Sequence, residues 1–356
     1  MTLEEIVKEA ALKNASDVHV AASMPVRCRI DGELVNLNDN VVSPLEAEAY
    51  AKELAGSSYE EIRSIGELDS ARTIAGHRVR INIYRTGGMI SIALRILSDR
   101  IPRIHELGLP PAVDTFPSYQ KGIILITGET GSGKSTTLAA ILDEINHTRR
   151  QHIITLEDPV EYLYKPDLCM ISQREVGTDT RSYADGLRAI LREDPDIILI
   201  GEMRDAVTIE TALTAAETGH LVFATLHTNG AADSIDRIVG TFPADRQPQI
   251  RLQLSTTLKA VLSQQLLLRK SGSGRAAACE CMIVTPAIMN QIREGKTPQM
   301  EPSILTSAKE GSVTMDNCLI KMVKDGIISV DTAAAASKKP DYIRQNTGGY
   351  RPYGNR

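Results

Sequence analysis

No apolar run in this 356-residue chain reaches the roughly 18 residues that a membrane-spanning helix needs, so direct membrane insertion is not expected. The start, Met1-Thr2-Leu3-Glu4-Glu5, is acidic and polar where a secretory leader is basic and then apolar, so no leader is expected. The five cysteines form no C-x-x-C pair; Cys279 and Cys281 flank one residue and are expected as core thiols on one strand face. An odd count without a leader suits a reducing cytoplasm. Basic charge is also in short supply. Lys and Arg number 40 against 45 Asp and Glu, for a net charge of −5 and a pI near 5.9, which argues against a nucleic-acid partner. No internal repeat is evident. What is present, 42% hydrophobic and 24% charged residues, is enough for real cores, and the length suggests two or three domains.

The most informative stretch is Gly128-Glu129-Thr130-Gly131-Ser132-Gly133-Lys134-Ser135, which fits the phosphate-binding P-loop pattern G-x-x-x-x-G-K-[ST]. Ile123 to Thr127 before it reads as a buried strand, and Thr136 to Leu142 after it as a helix. Glycines let backbone N–H groups turn inward around an anion, and the helix adds its positive N-terminal end. Lys134 is expected on the β and γ phosphates, and the Ser135 hydroxyl on Mg²⁺. Residues 128–136 are therefore the expected cradle for ATP.

Hydrolysis also needs an acid on the metal and a group that orients or deprotonates water. Ile197-Ile198-Leu199-Ile200 runs into Gly201-Glu202, a Walker B-like strand in which Glu202 is the candidate metal-side acid. Ile153-Ile154-Thr155-Leu156 runs into Glu157, the candidate general base, with Pro159 stiffening the turn. His220 and His227 bracket the strand Leu221 to Leu226, and a neutral imidazole there could bond the γ-phosphate or the attacking water. Seven residues apart, the two fall on opposite faces of an extended strand, which argues against one shared role.

Residues 1–98 read as one small α/β unit. A helix capped by Thr2 runs to Leu12, a strand covers Ser16 to Val20, and a hairpin turns at Asp31-Gly32. A second helix, capped by Ser43 with Pro44 at its first position, precedes strands at Arg78–Arg85 and Ile90–Ile96. Four prolines mark 99–118 as an interdomain linker. From 119 to about 240 strands alternate with helices, the pattern of a parallel sheet. Pro243 to Lys270 reads as helical, further helices run to about Ala336, and the second domain extends to 344. The glycine-containing tail 345–356 is expected to be disordered.

Three further strings complete a recognisable set: Thr155-Leu156-Glu157-Asp158-Pro159-Val160-Glu161-Tyr162, Leu191-Arg192-Glu193-Asp194-Pro195-Asp196 through Asp205, and Thr218-Gly219-His220 through Asn229. In this order after a P-loop they resemble the Asp box, Walker B and His box of the secretion ATPase superfamily. Within it the chain is similar to the retraction ATPases of type IV pili. Ala287 to Glu294 is similar to their A-I-R-N-L-I-R-E signature, departing at Met289 and Gln291. Glu129 stands where the family commonly has Pro, and is expected to point outward.

The resemblance implies a RecA-like P-loop NTPase domain behind a smaller PAS-like α/β domain, assembled as a homohexamer. It implies ATP and Mg²⁺ between the two domains, with arginines of the N-terminal domain reaching the nucleotide. Arg80 and Arg85, on the strand Arg78–Arg85, match those arginines best, and Arg192 is a weaker candidate. It implies a motor at the inner face of the cytoplasmic membrane that works on a membrane-embedded pilus platform protein. A pilus-extension or type II secretion ATPase is the alternative.

Overall fold

Capping residues set the first elements. In α1 (Leu3–Leu12) the Thr2 hydroxyl accepts from the Glu5 N–H while the Glu5 carboxylate accepts from the Thr2 N–H, satisfying two donors the helix start leaves free. Leu3, Ile6, Val7 and Ala10 then bury one stripe of this helix. The chain continues through β1 (Asp17–Ala21), β2 (Pro25–Ile30) and β3 (Glu33–Val41). Ser43 and Glu46 repeat the same reciprocal cap on α2 (Pro44–Ala55), with Pro44 at a position where its missing N–H costs nothing. Next come α3 (Tyr59–Ile65), β4 (Glu67–Ile74), β5 (His77–Thr86) and β6 (Met89–Ile96). Their strands form one antiparallel sheet in the order β3-β2-β1-β6-β5-β4. Period-two burial aims Val79, Ile81 and Ile83 of β5 into its core and Arg80 outward.

This computed structural model describes residues 1–30, 32–97 and 100–348. The chain divides into two units, Met1–Ile101 with Pro159–Leu163, and Pro102–Asp158 with the chain from Tyr164. Within the expected interdomain linker, Ile104–Glu106 and Pro111–Ser118 form 3₁₀ turns that bury Ile104, Val113 and Phe116 in the second unit's core. Proline restricts φ without preventing a buried side chain, and Phe116 is fully buried.

The second unit is built on β7 (Gly122–Thr127), α4 (Lys134–Thr148), β8 (His152–Glu157), β9 (Met170–Glu175), α5 (Tyr183–Ile190), β10 (Ile197–Ile200), α6 (Ala206–Glu217), β11 (Leu221–Leu226), α7 (Ala231–Gly240), α8 (Gln247–Thr257), β12 (Leu258–Leu268) and β13 (Arg275–Ile283). Five further helices close it: α9 (Pro286–Glu294), α10 (Met300–Thr306), α11 (Met315–Lys324), α12 (Val330–Ala336) and α13 (Pro340–Asn346). Its sheet runs β13-β12-β7-β11-β10-β8-β9, parallel except for β13. All residues of β7, β10 and β11 are buried, as a parallel sheet covered by helices on both faces requires. Each large aliphatic side chain so buried is worth roughly 1.5–3 kcal/mol.

Three expectations are corrected here. Pro243–Lys270 is helical only over α8; from Leu258 it becomes β12, which pairs β7 on one side and β13 on the other. The stretch after the Ser271–Gly274 loop, expected as helix, opens with β13, where Cys279 and Cys281 are buried core thiols. At the other end, Gln345 and Asn346 close α13 rather than beginning a disordered tail. Residues 349–356, also expected to be disordered, lie outside the described residues, as does Asp31 of the hairpin turn.

Candidate active site

A parallel sheet collects the carboxyl ends of its strands along one edge, and ligands bind there. The P-loop leaves β7 at that edge, Glu157 ends β8, Glu202 follows β10, and His227 follows β11. In strand order β7-β11-β10-β8, the structure thus brings Lys134, His227, Glu202 and Glu157 to one rim of the second unit.

The loop is shaped by glycines at positive φ. Gly128 sits at +139°, and a Cβ there would lie 2.4 Å from the Gln264 carbonyl oxygen and 2.6 Å from Ser132 Oγ. Gly131 sits at +79° with nothing within 4 Å of a Cβ, and Gly133 at +93° caps α4. Lys134 is buried and donates to the carbonyls of Gly128 (2.7 Å) and Glu129 (2.9 Å). Beneath the loop the buried Ser132 Oγ and Gln264 Oε1 find no hydrogen-bond partner among the described residues. A glycine cradle, a helix N-terminus, a buried ammonium and orphaned polar atoms together suit a polyphosphate. Thr130 and Ser135 are exposed at the mouth, and Thr136 is half-buried. Glu129 is exposed, as expected, and accepts from the Asn229 side chain at 2.9 Å.

Glu202 is held from two sides. Arg204 pairs with its carboxylate, Nη2 donating to Oε2 at 2.9 Å, and His227 Nε2 lies 3.4 Å from the same oxygen. Although its side chain is about half exposed, partial desolvation, then the charges of Lys134 and Arg204, hold the His227 imidazole below its usual range, so it is neutral near pH 7. The loop itself is sewn to β11: the Thr225 hydroxyl donates to the Gly201 carbonyl, and the Met203 N–H to the Thr225 carbonyl. The oxygen set of Ser135 and Glu202 suits a hard cation such as Mg²⁺.

Gly201 explains the missing Walker B aspartate. A Cβ on it would lie 2.9 Å from the Tyr183 hydroxyl, 3.1 Å from the Leu156 carbonyl and 3.3 Å from Glu157 Cα. Burial, then the charges of Asp158 and Glu157, push the Tyr183 phenol up, so it stays protonated beside the Glu157 backbone. Glu157 is half-buried, with Gln173 Nε2 at 3.5 Å from Oε1.

His220 is not part of this rim. It precedes β11 at the amino edge, its N–H and Nδ1 facing the Ala215 carbonyl and its own carbonyl accepting from Gly122. The strand between it and His227 is six residues, roughly 20 Å. The separation agrees with the expectation against one shared role, and it leaves His220, a candidate catalytic residue by sequence, away from the chain's own phosphate rim. Arg80 and Arg85 are exposed on β5 of the first unit, five residues apart and so on opposite strand faces. Arg192 follows α5 and is exposed. Sequence reasoning missed Asn229, Tyr183, Arg204 and Thr225 as site residues. Asn229, Arg204 and Thr225 lay within the quoted boxes; Tyr183 carried no signal.

Residues 1–332 match the model of the family described as "Type II/IV secretion system protein". The chain belongs to this family. This secretion-family chain is an ATPase by the company it keeps. It is 41% identical over 343 residues to the "Type IV pilus retractation ATPase PilT" of Pseudomonas aeruginosa, covering 96% of this chain and 99% of that one. It is 44% identical over 331 residues to the "Uncharacterized protein YggR" of Escherichia coli, covering 92% and 99%. A solved structure described as the pilus retraction motor PilT with bound ADP superimposes with a TM-score of 0.91 at 44% identity, covering 97% and 99%. The mixed α/β architecture and RecA-like sheet of the family are those described above.

Proposed function

We propose that this chain is a Mg²⁺-dependent ATPase motor that drives retraction of a type IV pilus, working as a homohexamer. Full-length similarity to a pilus retraction ATPase, together with four candidate groups on one sheet rim, supports the reading. In it the backbone N–H groups of 128–136 and the Lys134 ammonium bind and orient the phosphates. Ser135 and Glu202 would hold Mg²⁺, which when bound supplies positive charge to the phosphate oxygens. Glu157 orients the attacking water and takes its proton at a carboxylate oxygen. Neutral His227, beside Glu202, donates a hydrogen bond that exists only while the terminal phosphate is present, and so reports cleavage to β11. Arg80 or Arg85, which lie on opposite faces of β5, is assigned to charge on the transferring phosphoryl. A membrane-embedded platform protein at the inner face of the cytoplasmic membrane is the assigned partner, and residues 1–98 and 119–344 the two working domains.

Phosphate release from the purified chain with ATP and Mg²⁺ tests the enzyme. Lys134→Ala should abolish it, and undiminished turnover in that variant refutes the site. Chelating Mg²⁺ should abolish turnover as well. A deletion strain tests the direction of work: cells that keep pili but cannot twitch support retraction, whereas bald cells indicate extension.

A further inference from the structure

A cavity of about 580 Å³ opens beside the P-loop. Its wall runs from Glu129 and Ser132 along the end of β12, through Gln265 and Leu266, to Ala336 at the end of α12. The link Ser337–Lys339, between α12 and α13, forms the far wall. Side-chain bonds pin it. Ser337 Oγ donates to Asp316 on α11 at 2.6 Å, Lys338 Nζ to Asp233 in the first turn of α7 at 2.7 Å, and Lys339 Nζ to Glu301 on α10. Gln265 Nε2 approaches the Ala336 carbonyl at 3.5 Å.

The link also reaches the P-loop. The Asp233 carboxylate lies 3.5 Å from where a Cβ on Gly230 would stand, and the residue before that, Asn229, holds Glu129. The chain of contacts is short: Lys338, Asp233, the Gly230 turn, Asn229, Glu129. The walls beside the link are held differently. Glu280, half-buried, accepts from the Ala231 N–H that starts α7 and from the Met315 N–H that starts α11, fixing both helix starts to β13. The clasping pairs are on the surface, with side-chain exposures of 74% and 51% for Lys338 and Asp233, and 52% and 56% for Lys339 and Glu301. Such pairs are individually weak and screened by salt. That suits a part that opens in every cycle and would be a poor static staple.

We propose that Ser337–Lys339 is a releasable clasp, closed by the Lys338–Asp233 and Lys339–Glu301 pairs, that sets how fast nucleotide leaves the P-loop. Lys338 is a positioning residue in this scheme. The inference rests on the P-loop reading above.

The test is stopped-flow release of a fluorescent N-methylanthraniloyl ADP from the full chain, at low and high salt. Release should quicken with salt in the parent. In the Lys338→Ala/Lys339→Ala variant it should be about three- to tenfold faster at low salt and no longer respond to salt. Lys338→Asp should release quickly, and adding Asp233→Lys should restore slow release, which a role in folding alone would not do. Equal release rates in parent and double-alanine variant overturn the clasp, as do parallel salt responses or a charge swap that merely adds. A parent that fails to bind the probe overturns the nucleotide site, and the clasp with it.

Discussion

Asn229 Nδ2 donates to Glu129 Oε1 at 2.9 Å, joining residues 100 apart in sequence. An acid in a phosphate loop repels its ligand unless it is turned away, and this bond turns it away. Removing the amide frees the carboxylate to swing toward the phosphates. Asn229→Ala should weaken ATP binding by about 1 kcal/mol, roughly fivefold, since both partners are exposed. In a Glu129→Gln background the same change should cost little. Binding isotherms for the four proteins of this cycle check it, and additive losses would refute the coupling.

Gly201 carries a second prediction. Gly201→Ala puts a methyl 2.9 Å from the Tyr183 hydroxyl and 3.1 Å from the Leu156 carbonyl, so the loop bearing Glu202 must shift. Overpacking of this kind costs about 1–3 kcal/mol. Turnover should fall at least tenfold with ATP affinity nearly kept, because the P-loop is not displaced. Tyr183→Phe in the same chain should recover part of the loss, measured as kcat against KM.

The pieces that were legible in sequence are those whose cause is local. Thr2 with Glu5 and Ser43 with Glu46 announce their helices because a cap needs residues only three apart. The P-loop and the strand-end acids Glu157 and Glu202 announce the rim, because apolar runs ending in acids reflect one buried strand each. β12 and β13 were not legible. Leu258 to Leu268 holds five Leu and two Gln, good helix formers, and becomes a strand because β7 offers it an edge and a buried face. His220 misled for a related reason: a motif records order along the chain, and only the direction of β11 shows which end meets the phosphates. Glu129 with Asn229, and Gly201 with Tyr183, are pairings of separate elements that the local pattern does not encode.

Glu280 makes stability depend on pH. Burial pushes its carboxyl above the ordinary value of 4.5, and the two backbone N–H bonds offset this only in part. The folded protein therefore holds this proton more tightly than the unfolded chain. Stability is lost as pH climbs from about 4.5 through the raised folded value, and the full penalty applies above it. Glu280→Gln keeps an acceptor for the Ala231 N–H and cannot ionise. Its Tm relative to the parent should rise across that window, and a pH-independent difference would refute the assignment.

The two histidines should separate cleanly. His220→Ala removes imidazole bonds to the end of α6 and should cost about 1 kcal/mol of stability while leaving ATP affinity unchanged. His227→Ala should leave the melt nearly unchanged and lower kcat severalfold, because it removes the imidazole beside Glu202 that feels the Lys134 charge. Melting curves and single-turnover hydrolysis on both variants decide it; a loss of ATP affinity in His220→Ala would place that residue in the site after all.

The glycines of the cradle are not equivalent, and their difference tests how the loop is held. At Gly128 a Cβ meets the Gln264 carbonyl at 2.4 Å and Ser132 Oγ at 2.6 Å, so an alanine faces both a strained φ of +139° and backbone that cannot yield. At Gly131 the φ of +79° is also unfavourable, but nothing lies within 4 Å, so the cost is conformational alone, about 1–2 kcal/mol. Gly128→Ala should therefore push the loop off β12, lowering Tm and abolishing nucleotide binding together. Gly131→Ala should keep the fold and weaken binding by about tenfold. If the two alanines behave alike, contact with Gln264 is not what holds the loop, and backbone strain alone shapes the phosphate cradle.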